Sequence, residues 1–144
     1  MTLQELIEAI KNRGAFFAPG CDAEKLKLIN INLQNIKAAT LPNHMIDLYQ
    51  KCGGIWMGTG YIFGPAEFSY NGRHPIPSIL EINQDLTNMA KLRGKTIFGR
   101  NDLFWFSFDA FGNCTMLDNL NLNVLRTYSD PYRGVYECLV GGKI

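Results

Sequence analysis

Four cysteines (Cys21, Cys52, Cys114 and Cys138), two histidines (His44 and His74) and the carboxylates Glu67 and Asp109 are the side chains of this 144-residue chain whose chemistry could serve a reaction. A hydrolase needs a nucleophile, a base and an orienting group that converge in space. Cys52 and His44 sit on one expected helix, where their spacing puts them about 12 Å apart along the axis, too far for a hydrogen bond. His74 stands between Arg73 and Pro75 and reads as a surface residue of a loop. Glu67 and Asp109 have the residue type of a glycosidase pair, but that chemistry depends on a carboxylate separation that the sequence does not fix. No C-x-x-C and no zinc-ligand spacing of Cys and His occurs. Gly58-Thr59-Gly60, with Gly64 beyond it, lacks the following helix and the lysine and hydroxyl pair of a phosphate loop. The residues therefore predict a non-enzymatic chain with no metal or cofactor, its four thiols free in a reducing cytoplasm.

Composition narrows the partners. Hydrophobic residues at 47% and charged residues at 19% suit a folded chain rather than a disordered one. At this length one domain, residues 1–144, buries roughly 68–70% of its unfolded surface and needs no disulfide or metal staple. The formal net charge is +1, and the densest basic run, Lys91, Arg93, Lys95 and Arg100, is diluted by Asp85 and Asp102. A nucleic-acid binder would show a basic stripe, so no nucleic-acid partner is expected. No apolar run approaches the roughly 18 residues of a membrane span. The opening MTLQELIEAIKNRG carries Glu5 and Glu8 and lacks the apolar stretch of a secretory signal, so a cytoplasmic location is expected.

The elements that must position any site follow from periodicity and punctuation. Thr2 with Glu5 forms a capping box, and Leu3, Leu6, Ile7 and Ile10 make one apolar stripe that ends at Gly14. Leu26, Ile29, Leu33 and Ile36 predict a second helix after Asp22. Leu41-Pro42 opens a third, carried by Met45, Leu48, Tyr49 and Cys52 until Gly53-Gly54 stop it. Residues 55–70 change texture to glycine and aromatics, and read as one or two short strands with loops. The loop Asn71 to Pro77 leads to a capping box at Ser78 and Glu81, with Ile79, Ile82, Leu86 and Met89 on one face of a helix that ends at Arg93-Gly94. Gly94 to Asp118 then reads as three strands. Phe104, Phe106 and Phe108 fall on one side of the middle strand, while Leu103, Trp105 and Ser107 fall on the other. The turn Asp109 to Asn113 has Gly112 free to take a positive φ. Asn123 to Tyr128 is a further strand, and Asp130-Pro131 starts a last helix closed by Gly141-Gly142. The class is α+β, with amphipathic helices against a mostly antiparallel sheet.

The leucine-proline helix, its closure by Cys52-Gly53-Gly54, the segment Ile79 to Asn83 and the run GKTIFGRNDLFWFSFDAFGNCTMLD together resemble the SMI1/KNR4 family of the SUKH superfamily. The likeness spans nearly the whole chain. It implies a non-enzymatic protein-binding domain. Bacterial members resemble immunity proteins that neutralise the polymorphic toxin domain encoded beside them, and fungal namesakes are regulators of cell-wall synthesis and signalling. The family has no shared catalytic residue to carry over. The near-neutral charge disfavours a toxin with a strongly basic groove, since complementarity would call for an acidic inhibitor. A regulatory or scaffold module without a toxin partner is the alternative, and a small hydrolase a further one.

The partner-binding residues expected are Trp56 and Tyr61, read as lying in a glycine-rich loop, with Arg100 and Asp102 in a polar turn adding charged contacts at the edge. Tryptophan and tyrosine are favoured anchors of protein interfaces, and connections are where the fold leaves residue type free. Oligomeric state is not legible in the residues.

Overall fold

The capping box at the N-terminus forms as the residues dictate: Thr2 Oγ1 accepts the Glu5 N–H at 3.1 Å and Glu5 returns the bond to the Thr2 N–H. In this computed structural model, which describes residues 1–69, 75–86 and 88–141, helix α1 spans Leu3–Lys11 and buries Leu6 and Ile10 completely. Helix α2 (Ala23–Asn35) is capped by the Asp22 carboxylate and buries Leu26, Ile29 and Leu33. Helix α3 (Asn43–Lys51) follows Pro42 and buries Met45, Leu48 and Tyr49. Helix α4 (Ile79–Gln84) carries the second capping box, and α5 (Pro131–Gly141) closes the described chain. None of these helices is long and apolar enough to cross a membrane.

Among the described residues seven strands make one sheet in which every neighbouring pair is antiparallel and the spatial order is the chain order. They are β1 (Phe16–Pro19), β2 (Cys52–Met57), β3 (Gly60–Ile62), β4 (Lys95–Arg100), β5 (Phe104–Asp109), β6 (Cys114–Asp118) and β7 (Val124–Tyr128). The α+β class is thus as expected, and Gly112 takes φ +82° in the β5–β6 turn. Helices α2 and α3 interrupt the meander between β1 and β2, and α4 interrupts it between β3 and β4.

Several elements differ from the sequence reading. Strand β1 was not expected, because four residues between two helical patterns give no alternation to read. Helix α3 ends at Lys51 with Cys52 as its C-cap, where Cys52-Gly53-Gly54 is expected to close it, but no loop follows. The chain passes from α3 straight into β2 at Cys52, which pairs with Pro19. Trp56 and Tyr61 stand on β2 and β3 rather than in a loop, and only Gly58 and Thr59 turn the hairpin between them. The helix expected to run to Gly94 ends at Gln84, and a short 3-10 turn at Ala90–Leu92 replaces its second half, leaving Met89 exposed. Leu103 precedes β5 and is exposed. The expected loop around His74 and the final Gly142 lie outside the described residues.

One face of the sheet is closed by α5. Strand alternation puts Ile55, Ile62, Gly99, Phe106 and Met116 on that face through the cross-strand pairs Ile55 with Ile62, Ile62 with Gly99, Gly99 with Phe106, and Phe106 with Met116. The helix can lie this close because two positions lack a side chain. A Cβ on Gly99 would meet the Cys138 sulfur at 3.1 Å, and one on Gly134 would meet the Cys114 sulfur at 2.5 Å. Phe98, Phe106 and Phe108 form a ring cluster there, all at most 1% exposed. Opposite, Asn83 ties α4 to β4. Its amide donates to the Ile79 and Ile97 carbonyls at 2.7 and 2.9 Å and accepts the Ile97 N–H at 2.8 Å.

Candidate functional site

The face away from α5 carries a stripe of side chains that the backbone register brings together. Phe16 on β1 stands opposite Trp56 on β2, Trp56 opposite Tyr61 on β3, Tyr61 opposite Arg100 on β4, and Arg100 opposite Trp105 on β5. Directly opposed residues of antiparallel strands project to the same side with their Cβ atoms about 5 Å apart. Four strand spacings of about 4.8 Å make the stripe about 19 Å long. All four aromatic rings are half-buried, and Arg100 is exposed. Past Trp105 the face closes: Leu117, its partner on β6, is fully buried.

Beside the stripe lies a groove of about 510 Å³, walled by Trp56, Tyr61 and Arg100 from the sheet, by Phe68 and Ile76, and by Ile82 of α4. Phe68 and Ile76 hold one another through a reciprocal backbone bridge at 3.1 and 2.7 Å. The Phe68 ring stacks near Phe16, with centroids 6.2 Å apart, and rests over Gly54. Gly54 has φ +140°, and a Cβ there would overlap the ring at 2.3 Å, so the second glycine of the Gly53-Gly54 pair serves the groove wall. Below, Tyr49 donates its hydroxyl proton to the Phe63 carbonyl, fixing the groove floor to α3.

The polar chemistry of the groove is sparse and one-sided. Trp56 Nε1 donates to the Gly58 carbonyl at 2.8 Å, which locks the indole against its own turn. The Arg100 guanidinium carbon lies 4.9 Å from the centre of the Trp105 ring, a cation–π contact that orients the charge along the stripe. Neither Arg100 nor the Tyr61 hydroxyl has a side-chain acceptor among the described residues. The described lining contains no carboxylate and no side-chain amide.

Of the four residues singled out in the sequence, the structure therefore joins Trp56, Tyr61 and Arg100 in one site. Asp102 is exposed outside the groove, where its carbonyl accepts the Asn119 side-chain N–H at 3.2 Å. Its neighbour Asn101, read as a solvated turn residue, is only 4% exposed. Its side chain accepts from the Leu103 and Phe104 N–H groups and donates to the Cys138 carbonyl, pinning the β4–β5 turn to α5. Phe16, Phe68 and Trp105 are the site residues that the sequence reading missed. The alternation that set Trp105 apart from Phe104 and Phe106 was the available signal, but nothing local shows that β1, β2 and β5 share a register.

The groups with reactive potential are committed elsewhere. Burial pushes the Cys52 and Cys114 thiols up to about 12 and raises Cys138 well above its ordinary value, so they are protonated thiols at neutral pH. Cys21 is also raised by burial. Burial lowers His44 to about 4, against the pull of Asp47 and Asp130, and its Nε2 is enclosed without a partner. Asp109 spends both carboxylate oxygens on its own turn, accepting from Phe111 and from the Asn113 backbone and side chain. Among the described residues no three or more His, Cys, Asp or Glu side chains gather in a metal-binding cluster.

No protein-family model matches the chain, and no curated protein matches it.

Proposed function

We propose that this chain is a protein-binding domain of the SMI1/KNR4 type, and that it neutralises a cognate toxin domain by seating it on the stripe Trp56, Tyr61, Arg100 and Trp105. The observation that supports this reading most is the composition of that stripe. Trp, Tyr and Arg are the residue types that dominate binding energy at interfaces, and here they stand side by side on a rigid sheet and half-open to solvent. A sheet face holds these side chains more firmly than a loop does, so little conformational freedom remains to be lost on binding. The protonated thiols, the enclosed His44 and the committed Asp109 support binding over catalysis.

The test begins with the neighbouring reading frames, whose lack of a toxin domain would weaken the reading, and proceeds by co-expression of the chain with a toxin domain found there. Trp56→Ala is expected to weaken binding about thirtyfold, or about 2 kcal/mol, with the domain still folded. A Trp56→Ala, Tyr61→Ala, Arg100→Ala triple variant is expected to lose protection. A folded triple variant that protects cells as well as the parent chain would place binding on another surface.

A further inference from the structure

Resting on the reading of the stripe as a partner surface, the geometry points to a particular kind of partner segment: we propose that the groove takes a proline-rich stretch in the polyproline II conformation, carrying one acidic side chain that meets Arg100. Three features of the groove select it. First, the polar side-chain groups left to a ligand are donors in excess: the guanidinium of Arg100 and the Tyr61 hydroxyl, with no carboxylate or amide side chain in the described lining to receive an N–H. Buried N–H groups of a ligand would go unsatisfied against such a wall, at a cost. A proline-rich segment has carbonyls to accept and few N–H groups to satisfy, and so complements it. A sugar, whose hydroxyls need acceptors as well as donors, does not.

Second, the walls are flat and stiff. Trp56 is fastened by its own indole N–H, Phe68 is seated on Gly54, and Pro75 and Pro77 line the far side. Aromatic-walled grooves hold polyproline II helices by packing the pyrrolidine rings, and that conformer is already populated in the free peptide, so ordering costs little. At about 3.1 Å per residue, the roughly 10 Å from Trp56 to Arg100, the two strand spacings that line the groove, match about three residues, one turn of the polyproline II helix.

Third, the charge is single and placed. Arg100 has no carboxylate partner among the described residues, and stacking on Trp105 leaves its N–H edge available. One carboxylate on the segment completes the pair in bidentate fashion. A single-stranded nucleic acid would also stack on the rings, but its backbone needs a row of cations, and Arg100 is the one cation in the described lining.

The experiment titrates the protein with three capped eight-residue peptides: an oligoproline with one central aspartate, the same peptide with asparagine there, and a glycine-serine peptide with the aspartate. Both tryptophans of the chain lie on this face, so their emission reports binding directly. The aspartate oligoproline is expected to bind saturably, the asparagine version about tenfold more weakly, and the glycine-serine peptide not at all. Arg100→Gln, a change at an exposed position, is expected to weaken the aspartate peptide far more than the asparagine peptide, so that the difference between the two disappears. The inference is overturned by any of four results: no saturable binding up to about 1 mM, equal affinity for the proline and glycine-serine peptides, indifference to the Arg100 change, or tighter binding of a thymidine oligonucleotide. If protection in cells depends on the stripe while the proline peptides fail, this inference falls alone. If the triple variant still protects, the assignment of the face falls with it.

Discussion

On the α5 side of the sheet Phe106 and Phe108 are 1% and 0% exposed, whereas Trp105, next to Phe106 in sequence, is half-buried on the other side. The first face is filled with phenylalanine and aliphatic side chains, approached by a helix whose Gly134, with Gly99 on the sheet, permits close contact. The second adds to Phe16 and Phe68 three aromatic residues with a polar handle, Trp56, Tyr61 and Trp105, and sets one guanidinium among them. Rings that need no hydrogen bond can be sealed off. Rings that carry an N–H or O–H suit a surface where water, or a partner, completes them. If the open face binds a partner as proposed, the two faces divide one strand's residues between stability and recognition, and substitutions should separate the two.

Phe106→Ala is expected to have the largest effect. Removing a ring that packs against Phe98 and Tyr128 should cost about 3–5 kcal/mol in chemical denaturation, a large part of a total stability of about 5–15 kcal/mol. A loss below about 1 kcal/mol would mean that the α5 face is not the core. Asn83→Ala comes next, at about 2–3 kcal/mol, because it strands the buried N–H and carbonyl of Ile97 together. This change should also loosen α4, one wall of the groove, so it sharpens the comparison by weakening both faces at once.

The division between faces was partly legible in the sequence. Period-two alternation in Phe104 to Phe108 announced a core side, and both capping boxes announced their helices, since these signals are local. Residue type and position in expected connections single out Trp56, Tyr61 and Arg100, and the strand register pairs them. Trp56 and Tyr61 read as loop residues because β2 follows α3 without an intervening turn and glycines 53 and 54 read as punctuation, while Arg100, expected in a turn, is the last residue of β4. In fact Gly53 and Gly54 make room, the first for the Pro19 carbonyl and the second for the Phe68 ring. Such close approaches are tertiary facts. No spacing along the chain reports that residues 16, 56, 61, 100 and 105 lie in one row.

A smaller effect comes from His44, beside Tyr132 of α5 with ring centroids 6.0 Å apart. Its folded pKa, lowered by burial to about 4, lies below the ordinary value of 6.5, so the unfolded chain binds the proton more readily between those limits. The contribution is fully present above pH 6.5 and is lost as the pH falls toward 4. Allowing for partial solvent screening, it amounts to about 1–2 kcal/mol. His44→Gln should flatten the stability profile in that window and leave partner affinity at neutral pH unchanged. A profile as steep in the variant as in the parent would assign the pH dependence to other groups.

Acrylamide quenching of the intrinsic fluorescence addresses the open face most directly, since Trp56 and Trp105 are the only tryptophans and both belong to it. In the free protein both half-buried indoles should be quenched readily. With the proposed partner at saturation in a tryptophan-free form, the quenching constant should fall severalfold as the stripe is covered. An unchanged quenching constant in a complex shown to be fully formed would contradict the assignment of this face to partner binding.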